Sequence, residues 1–195
     1  LIAMIQDNLK MRLAYSTISQ LSYIVLGALL ATNTSLLGAA LHISMHAIAK
    51  ITLFFAAGAI LVAAHKTDIS DMGGLGRAMP ITFGAFLIGS LSIIGLPPFG
   101  GMWSKWYLGM GMVETGQWLL LSVLLASSLL NIAYLLPIPA RGFFGKAADG
   151  TTHHRIKEAP PSCLIAMTIT SLACVLLFFY PDPFYELVMD IGGTK

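Results

Sequence analysis

The chain has 195 residues, of which 56% are hydrophobic and only 10% are charged, and its mean hydropathy is +0.80. Water-soluble domains carry charge on about a quarter of their residues, so this composition excludes an ordinary soluble domain and predicts an integral membrane protein. The net charge of +2 identifies no partner by itself. The opening residues LIAMIQDN are typical of the end of an apolar helix, so we expect the chain to be part of a longer polytopic protein.

Five apolar segments are long enough to cross a bilayer, which takes about 20 predominantly apolar residues. None alternates polar and apolar residues over a long stretch, as the strands of a membrane β-barrel do. The third segment is interrupted by GLPPFGG at residues 95–101, and glycine and proline at this density do not sustain an α-helix. We therefore predict an all-α polytopic transmembrane helical bundle with one discontinuous helix. It forms a single transmembrane domain, residues 1–195, with spans at residues 13–31, 36–64, 81–113, 117–139 and 162–180.

Basic residues are concentrated in the connections that share one side of the membrane if each segment crosses once. Positively charged connections stay in the cytoplasm. We therefore predict a multi-pass protein of the cell (inner) membrane with a cytoplasmic N-terminal end and an external, periplasmic C-terminus. The basic side holds Lys10, Arg12, Lys66, Arg77, Arg141, Lys146, Arg155 and Lys157, and the opposite side holds Lys195 with Glu114, Asp182, Glu186 and Asp190.

Before the first predicted span, Asp7 and Lys10 mark the cytoplasmic edge. Hydroxyl and amide side chains follow early in the helix. Such groups either hold ordered water between helices or form interhelical hydrogen bonds, and both interpretations remain open. These residues are Tyr15, Ser16, Thr17, Ser19 and Gln20.

In the second span, His42, His46 and Lys50 recur every four residues. Each step advances about 400° around an α-helix, so the three form one polar stripe about 12 Å long. A charge at the bilayer centre costs at least about 2.5–3.5 kcal/mol, so the stripe is expected to face protein or water. Histidine titrates near neutral pH and a desolvated amine is able to exchange its proton, so the stripe predicts a proton relay. The alternatives are histidines that only satisfy buried polar groups beside a lysine that reaches the interface, or a histidine metal site.

In the third span, Lys105 follows the Gly-Pro interruption by one helical turn. Broken helices at membrane depth occur where the freed backbone is buried or lines a cavity, and in transporters they lie at ion or substrate sites. We predict that Lys105 exchanges protons, supported by Pro97, Pro98 and Ser104. The alternative is a proline kink that only packs, with Lys105 near the membrane interface.

Four motifs in the order DNLKMRLAYSTISQLSYI, HISMHAIAKITLFFAAGAI, DISDMGGLGRAMP and GLPPFGGMWSKWYL resemble the antiporter-like subunit family. That family includes the large subunits of Mrp-type Na⁺/H⁺ antiporters, the proton-pumping membrane subunits of respiratory complex I, and relatives in membrane-bound hydrogenases. The resemblance implies a bundle with two inverted repeats, each with one broken helix. The chain then corresponds to the second inverted repeat and the last helix, and holds at most half of a transport route.

The same resemblance implies roles for individual residues. Lys105 matches the terminal proton-exchanging residue of the family, and His42, His46 and Lys50 match the H-x-x-x-H-x-x-x-K helix that carries protons toward it. Asp7 and Lys10 match the charged pair before LAYS, although the family more often has aspartate where this chain has asparagine at position 8.

We therefore predict a transporter subunit, not an enzyme, that translocates protons in an Mrp-type Na⁺/H⁺ antiporter complex. Its partners would be H⁺, Na⁺, the lipid bilayer and other membrane subunits, with no cofactor, metal or nucleic acid. The alternative is a proton-pumping membrane subunit of an NADH:quinone oxidoreductase or a membrane-bound hydrogenase complex. A third possibility is a helical scaffold that transports nothing.

Overall fold

The computed structural model describes residues 2–145 and 157–192, and most of them are helical. The predicted charges at Lys146, Arg155 and Lys195 lie outside the described residues. Two 3-10 turns, Ile69–Met72 and Leu75–Arg77, lie between the third and the fourth α-helix. The α-helices are α1 (Ile2–Ile5), α2 (Leu9–Leu30), α3 (Asn33–Ala64), α4 (Pro80–Ile94), α5 (Gly101–Glu114), α6 (Trp118–Leu135), α7 (Pro137–Phe144), α8 (Pro161–Phe179) and α9 (Asp182–Gly192).

The central element is α3, which packs against α2, α4, α5 and α8. Its 32 residues extend for about 48 Å, more than the ~30 Å hydrocarbon core of a bilayer. A reciprocal capping box between Thr32 and Ser35 fixes its start, three residues before the start of the predicted span. Because four long helices surround α3, a polar stripe along it contacts protein on most of its length.

The predicted interruption of the third span is confirmed. Helix α4 ends at Ile94, and Gly95 follows in the left-handed region with φ +86°. Helix α5 then begins at Gly101, where a Cβ atom would overlap the carbonyl oxygen of Ser92. The start of α5 therefore packs directly against the last turn of α4, and this contact requires glycine.

The connections that were predicted to share one side of the membrane lie at one end of the bundle. The backbone N–H of Ser70 donates to the Asp7 carboxylate (3.1 Å), which joins the N-terminal residues to the connection after α3. Arg77 donates to the carbonyl of Phe143 at the end of α7 (2.9 Å). The start of α3 and the end of α5 are hydrogen-bonded to each other at the opposite end. This alternation fits one crossing per predicted segment, and the cytoplasmic orientation stays a prediction.

The helices define a polytopic membrane bundle. Within the described residues, four helical segments are long and apolar enough to cross a membrane, namely Leu9–Leu30, Asn33–Ala64, Trp118–Phe144 and Pro161–Phe179. The broken pair α4–α5 packs among them. Helix α9 was not predicted from the sequence. Its Tyr185 ring lies 6.3 Å from that of Tyr107, and its apolar residues pack against α3 and α8.

Candidate proton-translocation site

Helix α3 carries His42, His46 and Lys50 on the side that contacts α2 and α5. The exposed fraction of the residue is 3% for His42, 8% for His46 and 5% for Lys50. The four-residue spacing therefore places all three against neighbouring helices, as the energetic cost of a polar group in hydrocarbon requires.

The ammonium group of Lys50 is held by helix α2. It donates to the carbonyl of Leu13 (2.9 Å) and to the hydroxyl of Ser16. Ser16 itself is fully buried and donates to the same Leu13 carbonyl (2.9 Å). Lys50 thus ends among interior groups and does not reach the membrane interface. Of the two interpretations of Ser16, the structure shows the interhelical hydrogen bond.

The two histidine rings are stacked, with centroids 5.7 Å apart and planes 15° from parallel. Nδ1 of His42 shares a 2.9 Å hydrogen bond with the hydroxyl of Ser104, the residue directly before Lys105. The Nε2 atoms of both rings and the amide of Gln20 are buried and have no hydrogen-bond partner among the described residues. Buried polar atoms are nearly always paired with protein or ordered water. This cluster therefore suits a hydrated interior.

Lys105 is positioned by the break in its own helix. Its ammonium group donates to the carbonyl of Ile94 (2.8 Å) and to the hydroxyl of Ser128 on α6 (3.1 Å). The carbonyls of a last helical turn have no partner within the helix and form the negative end of its dipole. The interruption therefore creates the acceptor that binds the amine.

Beside Lys105 lies a cavity of about 630 Å³ between α5 and α6. Its polar side chains are Lys105 and Ser128, and the rest of the lining is apolar or glycine. Lys105 is half-buried and reaches this space, whereas Lys50 is enclosed. The apolar lining residues are Ile94, Leu96, Met102, Trp106, Met110, Val113, Leu121, Leu124, Leu125, Leu129 and Ile132.

Tyr23 on α2 lies between His42 and Lys105 and was not predicted as a site residue. Its ring centroid is 5.5 Å from the Lys105 ammonium nitrogen and 5.6 Å from the His42 ring. The available signal was its spacing, because Tyr23 follows the buried Ser16 by seven residues and so lies on the same face of α2.

The supporting residues lie in three places. Ser104 is buried in the site. Asp7 and Lys10 are exposed at the end of the bundle, where Asp7 accepts a hydrogen bond from Ser70, and neither joins the buried row. Pro97 and Pro98 are exposed in the connection between α4 and α5.

The site differs from a structural salt bridge in that its lysines have no carboxylate partner among the described residues. Among the carboxylates of residues 2–145 and 157–192, none lies within ion-pairing distance of Lys50 or Lys105. Loss of a proton from either amine therefore leaves no buried, unpaired carboxylate behind, which would be the expensive outcome.

The helical membrane bundle with one broken helix has the fold of antiporter-like membrane subunits. The chain belongs to the NADH:quinone oxidoreductase/Mrp antiporter transmembrane family, whose model matches residues 1–131. This confirms the family that the four sequence motifs indicated.

Among its relatives, the chain is 37% identical to NADH-quinone oxidoreductase subunit N of Desulforudis audaxviator, over 97% of this chain and 40% of that protein. Two solved structures are similar in fold. One is the membrane-bound sulfane sulfur reductase, an archaeal respiratory membrane complex, with TM-score 0.82, 30% identity and coverage of 91% of this chain and 29% of that one. The other is the Mrp complex from Dietzia sp., with TM-score 0.83, 22% identity and coverage of 95% and 42%. The chain thus spans less than half the length of these relatives.

Proposed function

We propose that this chain forms a proton-translocating part of a membrane subunit, in which protons pass among Lys50, His46, His42 and Lys105. One observation carries the proposal, namely that four ionisable side chains are clustered between membrane helices with hydroxyls, carbonyls and aromatic rings as neighbours. A merely structural lysine or histidine in this environment would be replaced by an apolar residue at a gain in stability.

Transfer along the row takes place in steps, each of which moves one proton from one group to the next. The His42 and His46 centroids are 5.7 Å apart and the rings are stacked, so a water molecule has to bridge them. Ser104 binds His42 and adjoins Lys105 in the chain, which supports the last step. Lys105 is the terminal group, because it lines the cavity of about 630 Å³ between α5 and α6.

Two settings are compatible with this relay. The names of the relatives favour a redox-driven assembly, since they include a quinone oxidoreductase subunit at 37% identity and a respiratory membrane complex at 30% identity. The fold similarity to the Mrp complex supports the second candidate, Na⁺/H⁺ antiport. In either setting the partners would be other membrane subunits. Vesicles of the intact complex distinguish the two, since Na⁺ collapses a preformed pH gradient in the antiporter and an electron donor with quinone generates one in the redox complex.

The relay is tested by Lys105→Met in the full-length subunit within its complex, reconstituted into vesicles. We expect proton translocation to fall by about a hundredfold or more, the range associated with loss of a proton-transfer group. The matched control is Lys66→Met, because Lys66 lies at the end of the bundle in a 4.0 Å ion pair with Asp71. Translocation by Lys105→Met close to that of Lys66→Met, with both complexes assembled, would refute the proposal.

A further inference from the structure

Helix α6 carries a second polar face, which is separate from the row of His42, His46 and Lys50 on α3. Ser127, Asn131 and Tyr134 follow one another at intervals of four and three residues, so they share one side of a mostly apolar helix. Asn131 is 1% exposed and Tyr134 is 6% exposed. An asparagine this deeply buried in a membrane helix is costly unless its amide is hydrogen-bonded.

This face borders a cavity of about 250 Å³ between α1, α2 and α6. A water molecule occupies about 30 Å³ of liquid, so the cavity has room for several. Its lining differs from that of the larger cavity beside Lys105, since half of its residues carry hydroxyl or amide groups. The polar lining residues are Tyr15, Ser19, Ser127, Asn131 and Tyr134.

The cavity is linked to Lys50 through hydroxyl groups. The Tyr134 hydroxyl donates to the Asn131 side-chain oxygen (2.5 Å). Tyr134 lies beside Ser16, because Arg12, one turn before Ser16 on α2, donates to the Tyr134 carbonyl (3.2 Å). Ser16 accepts a hydrogen bond from Lys50. Asn131 Nδ2, which is buried at the cavity, has no acceptor in the described part of the chain. Water in the cavity would supply that acceptor.

Arg12 holds the short helix α1 in place at this cavity. Its guanidinium group donates to the carbonyls of Gln6 (2.8 Å) and Met4 (3.3 Å) and to the carbonyl of Tyr134 (3.2 Å). One side chain on α2 thus holds α1 and α6, the other two helices that line the cavity.

We propose that this cavity is a water-binding site and that Tyr134, positioned by Asn131, passes protons between its water and Lys50 through Ser16. The proposal rests on the proposed function, because it gives the relay a source of protons at its Lys50 end. The Tyr134 hydroxyl first rotates from the Asn131 oxygen toward Ser16, and the Ser16 hydroxyl rotates from the Leu13 carbonyl toward Lys50. An excess proton on the cavity water then moves to the Tyr134 oxygen as Tyr134 gives its own proton to the Ser16 oxygen. Ser16 in turn gives its proton to the neutral amine of Lys50, so both hydroxyls are unchanged and Lys50 gains one proton.

The first experiment measures proton translocation by Tyr134→Phe and Asn131→Leu in the full-length complex in vesicles. We expect a fall of about tenfold for each, the factor associated with the loss of one buried hydrogen-bonded group. Tyr180→Phe is the control, since Tyr180 is 67% exposed at the end of α8. Asn131→Ser should retain more activity than Asn131→Leu, because it keeps a polar group and leaves room for water, whereas a packing role predicts the reverse order. Normal translocation by Tyr134→Phe, or the reverse order at position 131, would overturn the proposal.

The second experiment measures hydration directly and does not depend on transport. In a full-length chain with Cys163 and Cys174 replaced by alanine, Ser19→Cys and Val25→Cys are treated with ethylammonium methanethiosulfonate. Ser19 lines the cavity, while Val25 lies on the same helix, is 58% exposed and lines neither cavity. Only a hydrated thiol ionises and reacts, so we expect Ser19→Cys to be modified at least about tenfold faster. Equal rates would overturn the proposal.

The two proposals fail separately. If Lys105→Met is inactive and Tyr134→Phe is normal, the relay stands and the water site is rejected. If Lys105→Met translocates protons normally, the relay itself is rejected.

Tyr23→Phe removes the 2.6 Å hydrogen bond from Tyr23 to Ser127 at the cavity. A larger loss in Tyr23→Phe than in Tyr134→Phe would show that the cavity serves Lys105 and not Lys50, and would overturn the proposal as stated.

Discussion

Lys50 and Lys105 occupy different environments. Lys50 lies in the middle of an uninterrupted helix and is 5% exposed. It donates hydrogen bonds to acceptors on the neighbouring helix α2. Lys105 lies just after a helix break, is half-buried and donates to the carbonyl of Ile94 that the break has freed. One lysine is enclosed by packed helices, and the other borders a cavity of about 630 Å³.

The difference shows two ways to hold an amine inside a membrane protein. The carbonyls inside a continuous helix already accept hydrogen bonds from their own helix, so Lys50 shares one of them, that of Leu13 on α2, and also binds the Ser16 hydroxyl. A broken helix supplies a carbonyl at membrane depth, at the negative end of a helix dipole. We interpret Lys50 as the internal relay and Lys105 as the group that exchanges protons with its surroundings.

Of the variants that test this difference, Lys50→Met is expected to cause the largest loss of proton translocation. Methionine keeps an unbranched apolar side chain, so the packing of α3 against α2 is preserved while the amine is lost. We expect proton translocation in vesicles to fall by about a hundredfold. The midpoint of thermal unfolding should stay equal or rise, because a buried polar group has been removed. A sharp fall in the midpoint would show that Lys50 is structural.

A smaller effect is expected from Gly95→Ala, which perturbs Lys105 alone. The added Cβ atom would lie 2.9 Å from Cδ of Lys105, and the left-handed backbone disfavours alanine by about 1–2 kcal/mol. We expect a lower unfolding midpoint and a fall of about tenfold in translocation as the amine is displaced from Ile94.

Gly58→Ala on α3 is the control, since no atom lies within 4 Å of its added Cβ. Alanine there should stabilise the helix by about 0.5–1 kcal/mol. Equal behaviour of the two variants would mean that the conformation at the break does not position Lys105.

The smallest effect is expected from Ser128→Ala. Lys105 loses its 3.1 Å hydrogen bond to Ser128 but keeps the 2.8 Å bond to Ile94, so we expect translocation to fall only about threefold. Ser122→Ala is the matched control, because its exposed hydroxyl binds a carbonyl of its own helix. A loss as large as that in Lys105→Met would identify Ser128, not the helix break, as the group that holds the amine.

The fold was predictable from the sequence because its signals are local. Hydropathy indicated the long helices, Gly and Pro indicated the interruption, and four-residue spacing placed His42, His46 and Lys50 on one face. The helix starts depended on side-chain caps at Asn8 and Thr32, and α2 in consequence begins four residues before the predicted span.

The parts of the site that the sequence did not predict depend on which faces of two helices meet. Ser128, Asn131 and Tyr134 lie on a mostly apolar helix, and only the packing of α6 against its neighbours brings them to Lys105 and to the second cavity. Tyr23 likewise acquires significance from His42 and Lys105, which lie far from it in the chain. Asp7 and Lys10 were included because of the family motif, and the structure places both at the end of the bundle, apart from the buried row.

The central claim is that Lys50 and Lys105 belong to one serial proton path, and a double-variant cycle tests it most directly. Proton translocation is measured in vesicles for Lys50→Met, Lys105→Met and the double variant in the full-length complex. Groups that act as one unit are strongly non-additive, so we expect the double variant to be no slower than the worse single variant within experimental error. Losses that multiply in the double variant would contradict the account, because they would show two independent contributions to transport.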